Sequence, residues 1–113
     1  MRISHITTHV LDTALGRPAA GVPVELHARN GQDWSLLASG TTDADGRVND
    51  LGPKEVAGGN YRLRFDTAAY FAATSTEAFF PEITLTFTVA DGQGHYHVPV
   101  LLSPFAFSTY RGS

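Results

Sequence analysis

The run Ile83-Thr84-Leu85-Thr86-Phe87-Thr88-Val89 alternates an apolar residue with threonine at every step. Strand side chains project to opposite faces in turn, so this run fits a β-strand with one face in a core and the other in water. Similar alternation sets Val22, Val24, Leu26 and Ala28 against Glu25, His27 and Arg29, and Tyr61, Leu63 and Phe65 against Arg62, Arg64 and Asp66. Further β-rich runs occupy 5–11, 34–38, 95–102 and 105–110, separated by turn formers such as Asn30-Gly31, Asp43-Ala44-Asp45-Gly46 and Asp91-Gly92-Gln93-Gly94. Roughly seven or eight short strands at this spacing predict an all-β sandwich. Only Thr67 to Thr74 breaks the pattern, being alanine-rich without Gly or Pro. It predicts one short helix over about 67–74, capped by Asp66 or Thr67.

Composition narrows the function classes. A chain of 113 residues is sized for one domain. No linker, repeat or low-complexity tract divides it, so 1–113 is expected to be a single unit. It has no cysteine, which excludes disulfides and thiolate metal sites. Eight Lys and Arg stand against 11 Asp and Glu, a net charge of −3 with no basic cluster. Nucleic acid is therefore not an expected partner, because neutralising phosphates takes clustered cations. Hydrophobic residues make up 42% of the chain. No apolar stretch approaches the roughly 18 residues of a membrane span, so a soluble protein with no membrane partner is expected. The start lacks an apolar leader behind Arg2, and Arg111-Gly112-Ser113 is not a peroxisomal address. A cytoplasmic location is the expectation.

Five histidines stand out against this background. Residues two apart share a strand face, which groups His5, Thr7 and His9 on one strand and His95 and His97 on another. One reading is a solvated sheet face. A second is a metal site, since imidazoles at this spacing with a third from a neighbouring strand can hold zinc, although no HExxH motif, acidic pair or cysteine accompanies them. A third is acid–base chemistry, in which one imidazole takes a proton from water and another orients or reprotonates. That requires the two strands to meet, within one chain or across an interface. Arg47 follows the turn Asp43 to Gly46, where it is either a solvated loop side chain or a fixed guanidinium for a planar, oxygen-rich ligand. Tyr110-Arg111-Gly112-Ser113 follows the last β-run directly. Either it frays, or the Ser113 hydroxyl and end carboxylate are held in structure.

These residues lie in segments with a family likeness. Ile6-Thr7-Thr8-His9-Val10-Leu11-Asp12, Gly16-Arg17-Pro18-Ala19, Val22-Pro23-Val24, Thr42 to Arg47, His95-Tyr96-His97-Val98-Pro99, Leu102-Ser103-Pro104 and Ser108 to Ser113 follow one another in the chain. Together they resemble the 5-hydroxyisourate hydrolases, transthyretin-like proteins of purine catabolism, over essentially the whole length. The closing Tyr-Arg-Gly-Ser is specific to the hydrolases; the first segment marks the wider transthyretin family. The chain departs from the hydrolases at Phe105-Ala106-Phe107, where they more usually show Gly and then Tyr, which bears on local packing.

The resemblance implies a transthyretin-like sandwich of two four-stranded sheets with one short helix. It also implies a homotetramer with active sites at the subunit interface. It assigns His9, Arg47, His97 and Ser113 to catalysis and the same residues with Tyr110, Arg111 and Gly112 to substrate binding, without metal or cofactor. His95 accompanies His97 with no clear role, while His5 and His27 gain none and are expected at the surface. The implied reaction is hydrolytic opening of a cyclic amide in 5-hydroxyisourate, giving 2-oxo-4-hydroxy-4-carboxy-5-ureidoimidazoline. A small-molecule carrier like transthyretin is the rival, and a generic sandwich adhesion module a more distant one. On the family pattern the carrier lacks the two histidines, the turn arginine and the Tyr-Arg-Gly-Ser ending.

Overall fold

A computed structural model describes residues 3–113. The chain runs β1 (Ile6–Asp12), β2 (Arg17–Pro18), β3 (Pro23–Asn30), β4 (Asp33–Thr41), β5 (Arg47–Val48), β6 (Gly59–Phe65), α1 (Thr67–Ala73), β7 (Ile83–Val89), β8 (Tyr96–Leu102) and β9 (Phe107–Thr109). Two sheets form, one in the order β4-β3-β6-β7 and the other in the order β2-β1-β8-β9 with β5 also on β1. The first is antiparallel throughout. In the second, β1 and β8 run parallel, in register from Ile6 opposite Tyr96 to Asp12 opposite Leu102.

The second sheet therefore has five strands, not the four expected. Because β8 takes one edge of β1 along its whole length, β2 and β5 share the other edge in tandem, pairing Leu11 with Pro18 and His9 with Arg47. Each is only two residues long, too short to leave a period-two trace. The expected strand at 105–110 shrinks to Phe107–Thr109, since Ser103 and Ala106 close a turn in which the Ser103 N–H donates to the Ala106 carbonyl. The helix lies where expected, and Asp66 caps it by accepting the Ala69 N–H at 3.1 Å.

The apolar residues of the alternating runs meet between the sheets. Val24, Leu26, Leu63, Phe65 and Ile83 of one sheet face Ile6, Val10, Val98, Val100 and Leu102 of the other, all buried. Each such side chain withdrawn from water contributes on the order of 1.5–3 kcal/mol. Tyr70 of α1 closes one end, donating its hydroxyl to buried Asp12 at 2.7 Å. Burial, then that carboxylate, pushes the Tyr70 phenol up to about 12, so it stays a donor at neutral pH. Leu85 and Phe87 are only half-buried because β7 is an edge strand. Their flank opens into a groove of about 390 Å³ between β7 and residues 109–111.

Filling the core with even-numbered residues of β1 and β8 turns their odd-numbered residues outward. That outer face carries Thr7, His9, His95 and His97. The other sheet's outer face carries paired polar side chains: His27 with Glu25 at 3.1 Å, and Arg64 with Glu82 at 3.1 Å. Arg62 there stacks 3.9 Å from the centre of the Trp34 ring. Among the described residues, no helix is long and apolar enough to cross a membrane.

Candidate active site

The parallel register sets Thr7 beside His97 and His9 beside Pro99. Because strands β1 and β8 are adjacent, the two histidine strands meet within one chain, and the ring centres of His9 and His97 are 6.4 Å apart. Arg47 reaches the same face because β5 pairs antiparallel with β1, His9 opposite Arg47. The turn ahead of it is tightly built. Asp43 accepts the backbone N–H groups of Asp45 and Arg47 at 2.9 and 3.0 Å, and Gly46 donates to the Asp43 carbonyl. Gly46 has a φ of +77°, and a Cβ there would run into the Val10 carbonyl oxygen. Only glycine lets β5 lie this close to β1.

The tail completes the group. The Gly112 N–H donates to the His97 carbonyl at 2.8 Å, drawing the tail against β8. A Cβ on Gly112 would stand 2.8 Å from His97 Cδ2 and 3.1 Å from Pro99 Cγ, so a side chain at this position would have to displace the imidazole. His9, Arg47, His97, Tyr110, Gly112 and Ser113 consequently line one open cleft of about 480 Å³. Arg111 is not among them. Its guanidinium turns to the opposite side and lies 4.3 Å from the centre of the buried Tyr96 ring, a cation–π contact that pins the tail from behind.

The cleft holds the fixed positive charge of Arg47. No carboxylate side chain lines it among the described residues, while a guanidinium and three imidazoles do. Burial holds the His97 imidazole below its ordinary value, and Arg47, His95 and His9 push it the same way. Its ring is thus kept neutral, with a lone pair available for a proton, near neutral pH. Among the described residues no three His, Asp or Glu side chains are set to hold a metal ion. The arrangement offers a neutral imidazole as proton acceptor, a second imidazole beside it and a fixed guanidinium to receive developing negative charge.

The HIUase/Transthyretin family model matches residues 6–112. The chain belongs to this family. A 5-hydroxyisourate hydrolase of Salmonella dublin is 44% identical over 109 residues, covering 96% of this chain and 80% of the relative. Among solved structures, Klebsiella pneumoniae 5-hydroxyisourate hydrolase matches with a TM-score of 0.85 at 38% identity, over 97% of this chain and 100% of that one. Transthyretin from Sparus aurata matches with a TM-score of 0.90 at 31% identity, over 96% of each chain. The transthyretin-like sandwich expected from the sequence is the fold observed.

Two residues of this HIUase/Transthyretin-family chain differ from the sequence expectation or were assigned no role by it. His5 is not at the surface: it is 7% exposed, accepts the Val56 N–H on Nδ1 at 2.8 Å and bonds the Gly94 carbonyl through Nε2 at 3.0 Å. It precedes the first residue of β1, so its ring ties two loops together instead of standing on the sheet face. Thr7 shares the face with His9, as alternation indicates, but its place between two imidazoles was not legible. Its Oγ1 lies 2.7 Å from His95 Nε2 and 2.8 Å from His97 Nδ1. The signal available was its period-two spacing from His9; what was missing was the β1–β8 register.

Proposed function

We propose that this chain hydrolyses 5-hydroxyisourate, opening its cyclic amide to give 2-oxo-4-hydroxy-4-carboxy-5-ureidoimidazoline in urate breakdown. The observation that carries the proposal is the meeting of His9, Arg47 and His97 with Tyr110 and Ser113 in one cleft that, among the described residues, no Asp or Glu side chain lines. The named hydrolases similar to it over nearly its whole length support the substrate. In this reading His97 and His9 hold a water and remove its proton as oxygen attacks the carbonyl carbon, and an imidazole returns the proton to the departing nitrogen. Arg47 binds the oxygen-rich ring and stabilises the negative charge that grows on the carbonyl oxygen. Tyr110 and the Ser113 hydroxyl orient substrate or water from the open side. Gly112 admits the tail to the imidazole, and Arg111 serves binding indirectly by fastening that tail. The residues supply all the acid, base and electrostatic roles, so no cofactor is invoked. A carrier would have no use for a proton-accepting pair beside a guanidinium.

The same proposal includes a homotetramer whose subunit contact covers the cleft. Supporting it are the open side of the cleft, the exposed apolar residues Ile3 and Tyr110 at its rim, and the outer edges of β7 and β9, which pair with no strand among the described residues. A cytoplasmic site of action also belongs to the proposal, testable by cell fractionation. The deciding experiment generates 5-hydroxyisourate with urate oxidase and follows its ultraviolet decay with and without the protein, alongside sedimentation analysis. Accelerated decay by a tetramer is expected; unchanged decay overturns the activity, and an active monomer overturns the assembly.

A further inference from the structure

A hydroxyl has one hydrogen and two lone pairs, which limits what Thr7 can do between two rings. The residue is 1% exposed, and its two hydrogen-bond distances are 2.7 and 2.8 Å. Its hydrogen has no water to turn to, so it goes to one imidazole, and its oxygen accepts the N–H of the other. Two arrangements satisfy this. Either His97 donates from Nδ1 and His95 accepts on Nε2, or both bonds are reversed. In the first, His97 Nε2 is a bare lone pair facing the cleft; in the second it is an N–H. Arg47, whose positive charge acts on this ring, favours the lone pair.

We propose that Thr7 and His95 are positioning residues: the Thr7 hydroxyl, accepting from His97 and donating to His95, holds His97 with Nε2 bare toward the cleft and links it to the solvent. The catalytic consequence rests on the hydrolase reading; the tautomer does not. When Nε2 takes a proton from water, the freed oxygen pair forms the bond to the carbonyl carbon and His97 becomes an imidazolium. The Nδ1 hydrogen then passes to Thr7 Oγ1 as the Thr7 hydrogen passes to His95 Nε2. Nothing is gained or lost, and the charge moves from the half-buried ring to an exposed one. The reverse shift restores it before the Nε2 hydrogen goes to the leaving nitrogen.

The surroundings make this transfer useful. His97 is faced by His9 from β1, Arg47 from β5 and Tyr110 from the tail, with Ser113 and its end carboxylate in the same cleft and, among the described residues, no Asp or Glu side chain lining it. His95 also borders a second hollow, where Lys54 and Glu55 stand on the loop after β5. His5, by bonding the Gly94 carbonyl, fixes the backbone from which His95 projects.

The test compares wild type, Thr7→Ser, Thr7→Val and His95→Gln by imidazole nitrogen NMR and by kcat against pH. In wild type and Thr7→Ser, His97 is expected with its hydrogen on Nδ1; in Thr7→Val, which keeps the shape without the hydroxyl, this preference disappears. Thr7→Val is expected to lose about tenfold or more in kcat with KM little changed, and Thr7→Ser to recover most of it. His95→Gln can still accept the Thr7 hydrogen but not a proton, so the His97 tautomer persists while kcat falls and its acid limb moves to higher pH. A wild-type His97 with its hydrogen on Nε2, or a Thr7→Val variant with unchanged tautomer or kcat, overturns the proposal; unchanged kcat and acid limb in His95→Gln overturn the part given to His95. Because the spectrum needs no substrate, a wild type without turnover removes the hydrolase reading while the tautomer still decides this one.

Discussion

The outer faces of the two sheets are built by the same alternation and do different things. On the β4-β3-β6-β7 sheet, His27 lies against Glu25, and Arg64 is satisfied by Glu82. On the β2-β1-β8-β9 sheet, no Asp or Glu side chain among the described residues lines the cleft of His97, and Arg47, His95 and His9 act on its ring. A histidine tied to a surface carboxylate is an ordinary exposed pair worth little; one that is half-buried beside a fixed guanidinium is held neutral with its lone pair available. The difference lies in partners brought from elsewhere. β5 delivers an arginine and the tail delivers Gly112, whereas the polar pairs of the other face come from its own strands and from Glu82 directly before β7.

The comparison breaks first at the histidines. Replacing His97 with alanine is expected to lower kcat/KM for 5-hydroxyisourate by about 10²–10⁴, the usual worth of a general base, while His27→Ala stays near wild type. Equal losses in the two variants, measured by ultraviolet decay, would remove the distinction drawn between the faces. A smaller but still clear effect is expected from Gly112→Ala, because its Cβ would meet His97 Cδ2 at 2.8 Å. Activity should fall about tenfold with the melting temperature little altered, since the clash is at an exposed tail and is relieved by moving the ring. A variant with full activity would show that the tail need not press on the imidazole.

The smallest effect is the one read from pH. Because His97 is held below its ordinary value of about 6.5, the acid limb of kcat/KM should lie below that value. The sign for stability follows. The unfolded chain binds the proton more readily, so this contribution is whole above the unfolded value and is lost as pH falls through the folded one. Denaturant titration at stepped pH would show the loss, and His97→Gln should flatten it. An acid limb at or above the ordinary value would mean that burial and the Arg47 charge do not act on the ring.

Much of this was legible in the sequence because alternation is a local property. Ile83 to Val89 states its strand residue by residue, and the strand forms with those bounds. The site residues His9, Arg47 and His97 were found through the family likeness, and the cleft gathers them. What escaped depends on long-range register. The two-residue arms β2 and β5 exist only because β1 has an edge to spare, and nothing in Arg17-Pro18 or Arg47-Val48 announces a ladder. Thr7 reads as one more polar residue on a strand until Thr7 and His97 are known to be neighbours. His5 follows the spacing of Thr7 and His9, yet it precedes the strand, so the alternation rule does not govern it.

The parallel pairing of β1 with β8 has a consequence for how activity is acquired. Thr7 and His97 are 90 positions apart, and the whole of the other sheet lies between them in the chain, along with the short β2 and β5. Long-range closure of this kind is slow to form and is made late. A partly folded molecule in which only the β4-β3-β6-β7 sheet has zipped up would contain much of the native backbone pairing and none of the cleft. Turnover in such a protein works as a folding sensor: a growing chain, or one whose last strand has peeled away, is silent until the two distant segments lie side by side.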